Sequence, residues 1–273
     1  VIPTTDRPPA ALDVHRGATS VRPLGPWRLE WLRLTRTRRW IGLAVPFLLF
    51  ACTGPLMARY ADELLSAVGT AGNITVQATA PTPADAMDGY TGNALQLGLL
   101  AALVVAAAAL TVNARPTLAV FYRTRVPSAA RLVLPRWTVV TGAAVAAHAA
   151  GTALAVYETG VLIGLPDIPA VLTGWALSSL YLVFALAVTA AVATRARSTL
   201  SAVAVTLAVV LVLPLLAAIP ALEPWMPSTL AGAPTALLQG AGPGDYARAA
   251  SVAAVVSGAA LLLAIRGVAR REL

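Results

Sequence analysis

Seven stretches of the chain carry no Asp, Glu, Lys or Arg: residues 40–58, 89–114, 137–157, 168–194, 198–222, 224–244 and 249–265. Between them, charges gather in short clusters. A helix needs about 20 apolar residues to cross a bilayer core of ~30 Å. Each charge left in mid-bilayer costs roughly 2.5–3.5 kcal/mol on insertion scales. Charge-free windows of spanning length, repeated along the chain, therefore predict membrane-crossing helices. The window 224–244 is the exception. It holds Pro224, Pro227, Pro234 and Pro243 together with Gly232, Gly240, Gly242 and Gly244. Backbone so interrupted is tolerated at membrane depth only when buried in protein or lining a cavity. A short half-inserted helix around Thr229–Leu238 is expected there.

Six spans remain, at about 40–58, 93–112, 137–157, 169–193, 199–220 and 248–265. The expected fold is an all-α membrane protein with both termini in the cytoplasm. Charge sets the orientation. All 20 basic residues are Arg. With the N-terminus inside, 18 of them fall on cytoplasmic segments and only Arg59 and Arg248 fall outside. That asymmetry is what the positive-inside rule requires. A seventh span at 224–244 would place the C-terminal arginines outside. Residues 1–22 are polar, lack an apolar signal-peptide core and read as a disordered cytoplasmic tail. Residues 40–273 then form one six-helix transmembrane domain.

Three segments carry candidate chemistry. In residues 23–39, Pro26 suits a first helical turn. Leu24, Trp27, Trp31 and Leu34 recur at helical spacing, with Arg28 and Arg33 on the flanks. Trp and Arg favour the headgroup level, so an amphipathic interfacial helix is expected, either a simple anchor or a docking element. The loop 113–136 is the only long cytoplasmic one. After Pro116, the residues Leu118, Phe121, Tyr122, Arg123 and Arg125 form a compact aromatic and cationic segment, closed by Pro127. It reads as a protein-docking knob or as a lipid-facing turn. A new helix can begin at Ser128. The third segment is the far end of the third span, Tyr157-Glu158-Thr159-Gly160, where Glu158 is either solvated or aimed at a substrate or gate. His148 lies mid-span. Intramembrane polar residues are functional candidates, and a neutral His bonded to a neighbouring helix is the alternative.

Absent motifs narrow the function. With no Lys there is no phosphate-binding loop with its lysine. His15 and His148 are too far apart for a zinc site of the HExxH kind. There is no GxSxG element and no paired intramembrane carboxylates. The chain is expected to be no enzyme and to hold no cofactor or metal. Its arginines sit at span ends, so nucleic acid is not an expected partner. Cys52 has no second cysteine to pair with.

The layout resembles the permease subunit of ABC-2 type (type V) ABC exporters of the actinobacterial kind. The resemblance covers about residues 23–273 and rests on EWLRLTRTRRW before the first span, PTPAD at 81–85, FYRTRV at 121–126, LPRW at 134–137, YETGVLIG at 157–164 and EPWMPSTL at 223–230. It implies that 23–39 is a connecting helix and 115–126 a coupling helix. Both would contact a separate ATP-binding subunit, which binds the ATP. It implies a re-entrant extracellular segment between spans five and six, with Glu158, Pro224, Trp225 and Pro227 as gate candidates. It also implies a second permease copy or paralogue, and a multi-pass place in the bacterial plasma membrane. One departure stands out: the family's loop often opens on Glu-Arg-Glu, and here it reads Asn113-Ala114-Arg115-Pro116. The competing expectation is a non-transporting membrane scaffold that recruits a cytoplasmic partner.

Overall fold

The computed structural model describes residues 25–61, 63, 80–111 and 128–270. All regular structure among them is helical. The helices are α1 (Pro26–Arg36), α2 (Arg39–Arg59), α3 (Pro83–Leu110), α4 (Ala129–Leu162), α5 (Ile168–Ala193), α6 (Thr199–Ala217), α7 (Thr229–Leu238) and α8 (Ala247–Ala269). Three-residue and four-residue 3-10 turns, Glu223–Trp225 and Pro243–Tyr246, flank α7. Six helices, α2 to α6 and α8, are long and apolar enough to cross a membrane. The window 224–244 is broken, as its prolines and glycines demand, and its ten-residue α7 is too short to span.

Local signals set the helix ends. Pro26 occupies the start of α1. Between α1 and α2, Arg38 adopts a left-handed conformation with φ 54°, which turns the chain out of one helix and into the next. The second span begins about ten residues before the expected position. Residues 83–92, which precede the expected span, are helical because Thr82 and Asp85 cap them. The Thr82 hydroxyl accepts from the Asp85 backbone N–H at 3.3 Å, and the Asp85 carboxylate accepts from the Thr82 N–H at 2.9 Å. This reciprocal pair satisfies two N–H groups that a helix start leaves open. Ser128 caps α4 by a single bond, its hydroxyl accepting from the Arg131 N–H. With 34 residues, α4 is about 51 Å long and outreaches the ~30 Å hydrocarbon layer.

The core is a close-packed triangle of α2, α3 and α4. Phe47 and Tyr90 are its two large wedges, 0% and 1% exposed. Each is seated on glycine. A methyl at Gly98 would sit 2.4 Å from the Phe47 ring, and one at Gly54 would sit 2.6 Å from the Tyr90 backbone nitrogen. One at Gly151 would meet both wedges, at 2.8 Å from the Tyr90 hydroxyl and 2.9 Å from Phe47 Cβ. Lipid gives apolar helices no hydrophobic reason to associate, so intimate packing at small residues supplies the adhesion. The contacts Gly54–Tyr90 and Phe47–Gly98 also show that α2 and α3 run antiparallel. Around this core, α6 and α8 keep broad apolar faces outward, including Leu211, Leu215, Val255 and Leu262. Such a surface suits hydrocarbon and not water.

These contacts make a paired test on one helix. Gly151→Ala overfills the site where both wedges meet and should cost about 1–3 kcal/mol, read as a lowered Tm in detergent. Gly142→Ala, with open space around the added methyl, should leave Tm unchanged or slightly raised. Equal effects from the two changes would refute the wedge account.

Candidate functional site

Two buried polar clusters lie in the described bundle, one at the α1 end and one at mid-depth. The first is built on Glu30, the one acid among five arginines in residues 28–39. It is buried despite its charge, 8% exposed, and so is Arg136 of α4, at 4%. Arg136 Nε donates to Glu30 Oε1 at 3.1 Å, and Arg33 NH1 donates to both Glu30 oxygens at 3.1 and 3.3 Å. A carboxylate between two guanidiniums is compensated where a lone buried charge would not be. Leu34, one turn beyond Glu30, is buried beside it.

This geometry revises the expected face of α1. Trp27 and Trp31 are about half exposed, at 51% and 55%, and Arg28 is exposed as well. The inward edge is Glu30, Arg33 and Leu34. Arg136 sits on α4 and draws the acid toward it, which leaves the tryptophans on the outer side. Periodicity of apolar residues missed this, because the inward edge is largely ionic. The i,i+3 spacing of Glu30 and Arg33 was the available signal.

The second cluster centres on His148, 1% exposed on α4. Its Nε2 lies 2.9 Å from Ser178 Oγ on α5. Ser178 donates its own hydrogen to the Trp175 carbonyl, so it accepts from an imidazole whose Nε2 carries the proton. The other nitrogen, Nδ1, lies 3.3 Å from the Tyr90 hydroxyl, which also donates to the His148 carbonyl at 3.3 Å. Thr152 stands 3.2 Å from that hydroxyl and donates to the His148 carbonyl. Three helices are thereby tied by one ring. Tyr90, Thr152 and Ser178 were not singled out from sequence, because each reads as an ordinary span residue until the helices meet.

Beside His148 lies a cavity of ≈10 Å³ bounded by Tyr90, Trp175, Ser178 and, from α7, Pro234 and Leu238. That space matches about one water and admits no larger ligand. α7 seats on it firmly. A methyl at Gly174 of α5 would sit 2.5 Å from Pro234 Cα, and Thr235 donates to the Asp88 carboxylate of α3 at 2.8 Å.

The expected gate residues can be placed one by one through their neighbours. Glu158 is half-buried on α4 and faces Cys52 of α2. One of its oxygens is enclosed without a hydrogen-bond partner among the described residues. Trp225, in the turn with Pro224, instead lies against Arg248 of α8, whose guanidinium is 5.5 Å from the indole centroid. Pro227 precedes α7. The expected docking residues Leu118, Phe121, Tyr122, Arg123 and Arg125 lie outside the described residues. Among the described residues, no three His, Cys, Asp or Glu side chains group to hold a metal ion. No family model, no curated protein and no solved structure matches the chain.

The ionic clamp has a measurable weight. Arg136→Leu should destabilise the protein by about 3 kcal/mol, the low end of the 3–5 kcal/mol for breaking a buried pair, because Arg33 still faces Glu30. Converting Glu30 to Gln in the same chain should recover a good part of that loss. A thermal unfolding series in detergent checks both, and an unchanged Tm for Arg136→Leu would remove the clamp from the account.

Proposed function

We propose that the chain is the membrane-spanning permease subunit of an ATP-driven ABC exporter, powered by a separate ATP-binding subunit. The observation that carries this reading is the clamp between α1 and α4. In the proposal, two cytoplasmic elements meet the partner: the helix at 26–36 and the loop segment at 115–126. The Glu30–Arg136 pair, at 3.1 Å, joins the first to the helix that directly continues the second. A push on either element is then delivered to both. Helix α4 is a rod of about 51 Å, so it carries that displacement along the full depth of the bundle, from Arg136 to Glu158.

The rest of the molecule fits this role. α7 and its flanking turns form the re-entrant extracellular segment, seated on α3 and α5. Helix α1 lies at the cytoplasmic interface with Trp27 and Trp31 at headgroup level, where indoles are favoured. The enclosed cavity beside His148 is too small for cargo, which supports a pathway made with a second permease copy or a paralogue. The location is the bacterial plasma membrane, and ATP is held by the partner.

Purification from the native membrane should bring down a Walker-type ATPase in fixed stoichiometry. Reversing Arg123 and Arg125 to Glu should uncouple hydrolysis from transport by tenfold or more, with membrane insertion intact; tenfold corresponds to about 1.4 kcal/mol of lost docking. Insertion without any associated ATPase would favour the scaffold reading, and full coupling in the double variant would remove the loop from the docking role.

A further inference from the structure

A groove with a volume of ≈450 Å³ opens between α5 and α6, at the end of the bundle that carries α1. Its walls are Ala191, Val192 and Ala196 from α5 and the turn after it, and Val205 from α6. Its polar members are Arg195 and Ser201. The volume falls within the ~300–1,000 Å³ typical of ligand clefts, whereas the cavity beside His148 has room for about one water. None of the residues of the two polar clusters lines the groove.

Its chemistry is divided by depth. Going down α6 from Ser201 to Val205 is one helical turn toward mid-membrane, and the lining there is hydrocarbon only. At the mouth, the Arg195 guanidinium folds over the end of α5, with NH1 donating to the Ala191 carbonyl at 2.9 Å. It also lies close to α8, where a methyl at Gly267 would be 3.6 Å from its Cζ. Arg197, Arg266 and Arg270 are exposed; Arg197 lies two residues after Arg195 in the turn between α5 and α6, and Arg266 and Arg270 flank Gly267 at the same end of α8. Segments 194–201 and 262–270 contribute these four arginines and no acid. An apolar slot under a cationic rim matches an amphipath of opposite sign.

We propose that this groove binds one anionic phospholipid of the cytoplasmic leaflet, with an acyl chain along Ala191, Val192 and Val205 and the phosphate at Arg195 and Arg197. A second copy of the chain fits the groove poorly. A two-fold contact there would set the Arg195–Arg197 rim of one copy against its own duplicate, and like charges repel in so low a dielectric. A zwitterionic lipid satisfies the slot but leaves the rim without net attraction. An arginine at an anionic surface contributes a gain of about fivefold in affinity. The inference needs the six long helices to cross a membrane with their arginine-rich end at the cytoplasmic face, and it stands apart from the exporter reading.

The test uses the full chain, purified in detergent, stripped of lipid and titrated with phosphatidylglycerol or phosphatidylcholine of identical chains. Bound lipid is counted by native mass spectrometry, and folding of each variant is checked by its Tm. Phosphatidylglycerol should bind in a ratio of one per chain and hold at least fivefold tighter than phosphatidylcholine. Arg195→Gln and Arg197→Gln should each lower that preference by about fivefold. Val205→Trp, at a half-exposed site that tolerates bulk, should exclude both lipids by filling the slot. Excess glycerol phosphate should not displace the bound lipid. Equal affinity for the two lipids, an unchanged preference in both Arg variants, or displacement by glycerol phosphate would overturn the proposal. So would a chain dimer that Val205→Trp dissociates, which would give the groove to a second copy.

Discussion

Everything in this bundle depends on how closely α2, α3 and α4 approach each other. In lipid, apolar side chains gain nothing by leaving the solvent, so adhesion comes from contact quality. Phe47 and Tyr90 supply bulk, and Gly54, Gly98 and Gly151 supply the space that receives it. Each glycine removes a methyl that would stand within 3 Å of its neighbour. The approach has a second consequence. It brings the Tyr90 hydroxyl to hydrogen-bond distance of His148 and Thr152, so the apolar wedge also anchors a polar network.

The two buried clusters solve different problems. Around His148, side chains of three helices stand within hydrogen-bond distance of one another, from Ser178 through the imidazole to Tyr90 and Thr152. Such a network favours one arrangement of helices. Around Glu30, three charges are held together where two of them are buried. A buried pair gives little net stability compared with apolar packing, yet losing one partner is expensive. The clamp is therefore better understood as a constraint on geometry. It forbids α1 from leaving α4 while the pair remains dry.

Those constraints bear directly on the proposed transport cycle. The α1–α4 unit lies at one end of the bundle, and α7 is seated at the other against Gly174 and Asp88. Helix α4 joins the two ends and holds His148 between them. A displacement delivered at the loop before Ser128 would reach the α7 seat through His148, Ser178 and Tyr90. The cavity at that seat has room for about one water, which leaves the packing there tight enough to transmit motion.

Sequence alone determined the number of long apolar helices, because charge is too costly in hydrocarbon to be scattered through a span. It also determined that 224–244 would break, since proline and glycine act on their own backbone. The start of α4 after Ser128 was readable in the same local way, and the capping pair Thr82–Asp85 could have been. What the chain could not reveal was which residues meet. Glu30 and Arg136 are 106 positions apart, and nothing local to either points to the other. Nor could the chain reveal that Glu158 faces Cys52 and that Trp225 lies against Arg248. Ser178 and Thr152 had no signal at all. Insertion into a membrane is decided residue by residue along one helix. Pairing is decided by the rotation of helices about their axes, and that was settled only when Phe47 and Tyr90 found their glycines.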